Sequence, residues 1–257
     1  MNTRAIGLIL VSGVLVCTPL RAQETTIAQA IRRVQSGTLR FQFKARPGVC
    51  GSGQSMSFSS RNQSRHNGEW ESECEPGPVR VAMDVSNGAP TAVRFYVGGR
   101  WGAAGGATEI GAVAASEAGS YFARLAETGT GKVAKEAVTV STLADSSTVW
   151  PVLLRIARDD SRDRELRKSA VFWLGQAASD ATAALNGLAE DENGDVEVRK
   201  QAVFALSQRP NGEGIAPLLT IARGKLDPRI RRQAIFWLGQ SGDPRAVSYF
   251  EDVLSRP

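Results

Sequence analysis

Histidine is the scarcest reactive residue in this sequence: His66 stands alone among 257 residues. That shortage excludes a multi-histidine metal site. It also leaves a Ser-His-Asp triad with no base but His66. That residue lies in the polar run Arg61 to Gly68, read as an exposed turn, with no Gly-x-Ser-x-Gly elbow nearby. Cysteine is nearly as sparse, with only Cys17, Cys50 and Cys74. Beyond the N-terminus no apolar run approaches the length of a membrane span. Strong charge of one sign is missing too, so nucleic acid is not an expected partner.

The first residues are expected to be removed. Met1 to Arg4 gives a short positive start, Ala5 to Cys17 is apolar, and Ala22 supplies a small residue, which together read as a secretory signal peptide over residues 1–22. A lipoprotein reading would place Cys17 at the mature terminus, but Val16 rather than a small residue precedes it. Cleavage takes away Arg4 and Arg21 and lowers the net charge from +5 to +3. Residues 23–101 hold 10 basic and 6 acidic groups, against 19 and 20 in residues 102–257. The slightly basic N-terminal part fits contact with an anionic cell envelope and fits a solvated surface equally well. Cys50 and Cys74 remain, and in an exported chain they are expected to form one disulfide; two free buried thiols are the alternative.

After the leader, Glu24 to Val34 has helical spacing, with Ile27, Ile31 and Val34 on one face. The period then becomes two. Leu39, Phe41 and Phe43 alternate with polar residues, as do Val79, Val81, Met83 and Val85. Asn87-Gly88 offers hairpin-turn chemistry before the strand Ala92 to Val97, and a short strand is read at Met56 to Phe58. Residues 38–101 are therefore expected to form a small, mostly antiparallel β-unit of about four strands, with Trp70 and Trp101 in its core and a flexible glycine-rich exit at 98–106.

The C-terminal half is organised by one phrase. Arg167 to Gln176 reads RKSAVFWLGQ, Arg199 to Gln208 reads RKQAVFALSQ, and Arg231 to Gln240 reads RRQAIFWLGQ. A fixed period of 32 residues marks a stacked repeat array. Four residues before each copy stands an Asp (Asp163, Asp195, Asp227), where it would cap the second helix of a hairpin. Arg167, Arg199 and Arg231 are expected to pair with that Asp or with the one in an adjacent repeat, as a structural ladder. Ala134 to Leu143 reads as a degenerate fourth copy. Pro151 to Arg158, Asp180 to Ala189 and Ala216 to Arg223 supply first helices, and Pro244 to Leu254 closes the array.

At 100° per residue, Ile230, Ala234, Trp237 and Leu238 form the core stripe, and Phe236 falls nearly opposite. Three rows then cross the second helices: Lys168, Lys200 and Arg232; Phe172, Phe204 and Phe236; Gln176, Gln208 and Gln240. Two readings follow. The rows form a groove that grips an extended peptide, or the phenylalanines pack sideways between helices while the polar residues solvate the face.

The Asp-x-x-apolar-Arg-x-x-Ala phrase resembles the bacterial HEAT repeat, of the type also found in phycobilisome lyase subunits, over about residues 116–257. The resemblance implies a right-handed, armadillo-like α-solenoid and a role in protein binding or scaffolding. Hydroxylase members rely on paired His-Glu sites, which a chain with one histidine does not match. The order of leader, two-cysteine β-unit and array is similar to exported bacterial HEAT proteins.

Other chemistry is absent. Gly129 to Lys132 lacks the earlier glycine and the Ser/Thr of a phosphate loop, with Val133 in that place. Asp191 to Asp195 begins like a calcium loop, but Val196 stands where glycine is required and Ala202 where the bidentate Glu should be. The alternating Glu69, Glu71, Glu73 and Glu75 read as a solvated strand edge or a weak cation site. The expectation is an α+β chain in two domains: a short helix and β-unit over 23–106, then about four repeats over 107–257. It would be exported, periplasmic or secreted, and non-catalytic, without cofactor or metal, binding a protein or peptide partner in the cell envelope. The alternative is an enzyme or ligand-binding protein with its site in the β-unit.

Overall fold

The computed structural model describes residues 26–53, 56–58, 74–177 and 181–255. The leader 1–22, His66, Trp70 and the acidic residues Glu69, Glu71 and Glu73 lie outside the described residues.

Helix α1 (Thr26–Val34) packs Ile27, Ala30 and Ile31 into the core and leads to strand β1 (Gly37–Phe43). Leu39, Phe41 and Phe43 point inward, and β1 pairs antiparallel with β4 (Val79–Ser86), whose Val79, Val81, Met83 and Val85 face the same side. Asn87 and Gly88 both take positive φ, 51° and 71°, and close a tight hairpin to β5 (Ala89–Val97). Between β1 and β4, the short strands β2 (Val49–Gly51) and β3 (Met56–Phe58) make a separate antiparallel pair. The disulfide Cys50–Cys74, with Cα atoms 5.1 Å apart, ties β2 to the segment entering β4.

The sheet corrects two expectations. Its pairings within 38–101 are antiparallel as expected, but β6 (Thr108–Ala112) adds a parallel edge beside β1, so the sheet is mixed rather than wholly antiparallel, in the order β5-β4-β1-β6. The sequence hid β6 because an exposed edge strand needs no alternation, and Gly111 breaks its register. Trp101 is not a core residue. It stands half-buried on the outer face, with the Arg40 guanidinium 4.6 Å from its ring centre.

The inner face of the sheet meets the helices: Phe41 stacks on Phe122 with ring centres 6.1 Å apart. Four hairpins follow, α2 (Ala115–Thr128) with α3 (Gly131–Leu143), α4 (Trp150–Arg158) with α5 (Arg164–Ala177), α6 (Ala181–Glu190) with α7 (Val196–Ser207), and α8 (Ile215–Arg223) with α9 (Pro228–Ser241). Helix α10 (Pro244–Leu254) closes the row against α8 and α9. No described helix is long and apolar enough to cross a membrane.

The second helices α3, α5, α7 and α9 pack side by side, each against the next. Gly175 makes one of these approaches possible: a Cβ there would lie 3.0 Å from that of Ala205 on α7. The β-unit is stitched to the start of the row. Ala45 bridges Ala144, Arg46 N–H donates to the Leu143 carbonyl at 2.8 Å, and Lys44 pairs with Asp145 at 2.7 Å. Sheet and helices share one continuous apolar core.

Candidate functional site on the second helices

Each second helix of the phrase starts as its sequence requires. Asp163 accepts from the N–H groups of Glu165 and Leu166, Asp195 from those of Glu197 and Val198, and Asp227 from that of Arg229. Burial alone would raise the Asp195 carboxyl. Hydrogen bonds from the Glu197 N–H, the Arg164 side chain and the Val198 N–H hold it below its ordinary value. The Arg229 side chain, helped by its own N–H, lowers Asp227 to about 2.

The expected ladder is met only in part: the Arg199 charge helps to lower the adjacent repeat's Asp227, but no ion pair joins them among the described residues. Arg167 and Arg199 do not turn to the capping Asp one turn before them. They are buried, and their Nε atoms donate back to the Ala157 and Ala189 carbonyls, at 3.3 and 3.1 Å, at the ends of the preceding first helices. Those carbonyls have no partner within their own helices, and the negative end of a helix attracts a cation. Arg167 adds an ion pair with Asp160 at 2.5 Å. Arg231 departs from the pattern. Its buried Nε has no hydrogen bond among the described residues, and the Ile221 carbonyl ten residues earlier accepts from the Gly224 N–H instead. One ion pair between repeats comes from Arg164, which pairs with Asp195 at 2.8 Å.

The three rows lie on the second helices, but their exposure changes along the array. The aromatic row begins at the fully buried Val140 of α3, continues through half-buried Phe172 and Phe204, and ends at Phe236, 54% exposed. Phe172 and Phe204 stack with planes 9° apart and centres 6.4 Å apart, and Phe204 meets Trp237 at 5.1 Å. Each earlier phenylalanine therefore packs on the next repeat. Phe236 touches Trp237 at 5.0 Å within its own helix and is not covered by a further second helix among the described residues.

The flanking rows repeat this gradient. Lys168 and Lys200 pair with Glu165 and Glu197, three residues before them, at 3.1 and 3.2 Å. Arg232 is exposed and makes no ion pair among the described residues. Gln176 is half-buried, whereas Gln208 and Gln240 are exposed. The N-terminal end of the face is occupied by the β-unit, whose Arg46 donates to the Gln176 carbonyl at 2.9 Å. Burial lowers the Arg46 pKa from its ordinary value.

Some participants are not marked by the repeat. Helical spacing puts Trp237 in the core stripe, yet it is half-buried inside the aromatic row, with its indole N–H buried and unbonded among the described residues. Arg209 is buried and joins neighbouring repeats through the Gly175 carbonyl at 2.9 Å and Thr182 at 3.1 Å. Both Arg46 and Arg209 occur once, so no periodic signal singles them out.

Residues 192–257, which span α7 to α10 and the exposed end of the row, match the family model described as HEAT repeats. The helical array is thus of HEAT type in its C-terminal part. No match to a curated protein was found for the chain.

Proposed function

We propose that this chain is an exported, non-catalytic adaptor of the bacterial periplasm or surroundings. In this reading a right-handed HEAT solenoid, continuous with the β-unit through a shared core, binds an extended segment of a protein partner in the cell envelope. HEAT repeats are generally protein-interaction scaffolds, which fits a binding role. The leader-like residues 1–22 and the Cys50–Cys74 bridge favour an oxidising compartment.

The observation that carries the proposal is the exposure gradient on the second helices. Arg232 and Phe236 stand open at the C-terminal end beside exposed Gln208 and Gln240, while Lys168 and Lys200 are paired and Phe172 and Phe204 are stacked. Phe236 supplies an apolar anchor, Arg232 a clamp for a carboxylate, and the glutamines donors and acceptors for an extended backbone. A photo-reactive amino acid at position 236 should cross-link one partner in intact cells, and the same group at exposed Ala216 on α8 should not. Equal labelling from both positions, or none from 236, would refute the assignment.

A further inference from the structure

The outer face of the sheet is roofed. The segment 98–107 runs from the end of β5 to the start of β6 at the opposite edge, and beneath it lies a cavity of about 820 Å³. Small-ligand sites fall in this size range. The floor is set by strand register: Gln42, Arg80 and Tyr96 line up across β1, β4 and β5, and Arg40, Ala82 and Arg94 form the next row. Ala82, small and central, leaves the room.

The walls are cationic. Arg40, Arg80, Arg94 and Arg100 line the cavity, and among the described residues no Asp or Glu does. Arg94 is matched by Asp84 at 2.5 Å and Arg40 faces Glu109 at 3.6 Å, but Arg80 and Arg100 have no carboxylate partner among the described residues. The Arg80 side chain is held in place by the Gly99 carbonyl at 2.8 Å, the Gly98 carbonyl and the Gln42 amide oxygen. Its charge is therefore fixed in position. Trp101 and Tyr96 meet edge to face at 5.9 Å and add an aromatic wall.

The roof is anchored. Gly98 has φ 66°, and a Cβ there would lie 2.2 Å from the Gly51 carbonyl oxygen, so only glycine lets the loop close onto β2. Gly51 N–H in turn donates to the Glu75 carbonyl beside the Cys50–Cys74 bridge. The disulfide therefore supports the cavity's rim.

We propose that this cavity binds a small organic anion, its phosphate or carboxylate group held by Arg80 and Arg100 and its ring against Tyr96 and Trp101. Arginine forks match such oxyanions bidentately, and aromatic walls favour a ring over bulk water. This site is separate from the second-helix face and stands whether or not the adaptor reading holds.

The test is calorimetric titration of the oxidised full chain with phenyl phosphate, benzoate, inorganic phosphate and phenol. Phenyl phosphate should saturate one site with Kd below about 1 mM. Inorganic phosphate should bind at least about fivefold more weakly, and phenol not at all. A preference for phenyl phosphate over benzoate assigns the phosphate class, and equal binding assigns oxyanions generally. Exposed Arg100→Glu should weaken binding at least about tenfold with an unchanged circular dichroism spectrum. Trp101→Leu should remove the advantage of phenyl phosphate over inorganic phosphate. No saturation by any anion, or titration of R100E indistinguishable from the parent, would overturn the proposal.

Discussion

Residues 199–208 and 231–240 spell nearly the same phrase and have different fates. In the first copy Phe204 is clasped between Phe172 and Trp237, Lys200 is paired, and Arg199 is buried on a carbonyl. In the second, Phe236 and Arg232 face solvent and Arg231 lacks the corresponding hydrogen bond. Six of the ten residues are identical, the phenylalanine among them, so its different exposure follows from position in the stack. A repeat covers the apolar face of the one before it, and among the described residues no second helix packs beyond α9.

This contrast is open to attack by matched substitutions. The largest effect is expected from Arg199→Ala, which leaves the buried Ala189 carbonyl unsatisfied and should cost about 2–3 kcal/mol in urea unfolding. Arg232→Ala, on the open copy, should stay within about 0.5 kcal/mol. Similar losses from both would dissolve the distinction between interior and end.

A smaller, pH-dependent effect belongs to the last two helices. The Asp227 and Asp243 carboxyls are held at about 2, chiefly by hydrogen bonds from the Arg229 and Arg245 side chains. Their folded values lie below the ordinary 3.8, so their stabilisation is fully present above that value and fades as pH falls from about 4 through 2. Trp237 fluorescence during thermal melts at pH 5, 3 and 2 should show the C-terminal hairpin loosening in acid. Asp227→Asn with Asp243→Asn should flatten that dependence. An unchanged acid profile in the double variant would place the sensitivity elsewhere.

Much of the helical half was legible because a stack repeats its constraints. A cap must sit where a second helix begins, so Asp163, Asp195 and Asp227 announce their helices, and α10 follows from Pro244. The partners of Arg167 and Arg199 were not legible, since the same spacing allows a side chain to reach the cap or the neighbouring helix end. The sheet was readable where one face is buried, as at Leu39, Phe41 and Phe43, and unreadable at exposed β6. The arginine-lined cavity was missed for a related reason. Arg40, Arg80 and Arg94 occupy ordinary outward positions in three separate strands, and only the register of the sheet and the path of residues 98–107 bring them under one roof.

The most direct measurement is the unfolding free energy of Phe172→Ser, Phe204→Ser and Phe236→Ser in parallel. The account predicts losses of about 2 kcal/mol for Phe172 and Phe204, which stack between repeats, and less than about 0.5 kcal/mol for Phe236. Three equal losses would show that the last phenylalanine serves packing to the same degree as the others and would contradict an open recognition end.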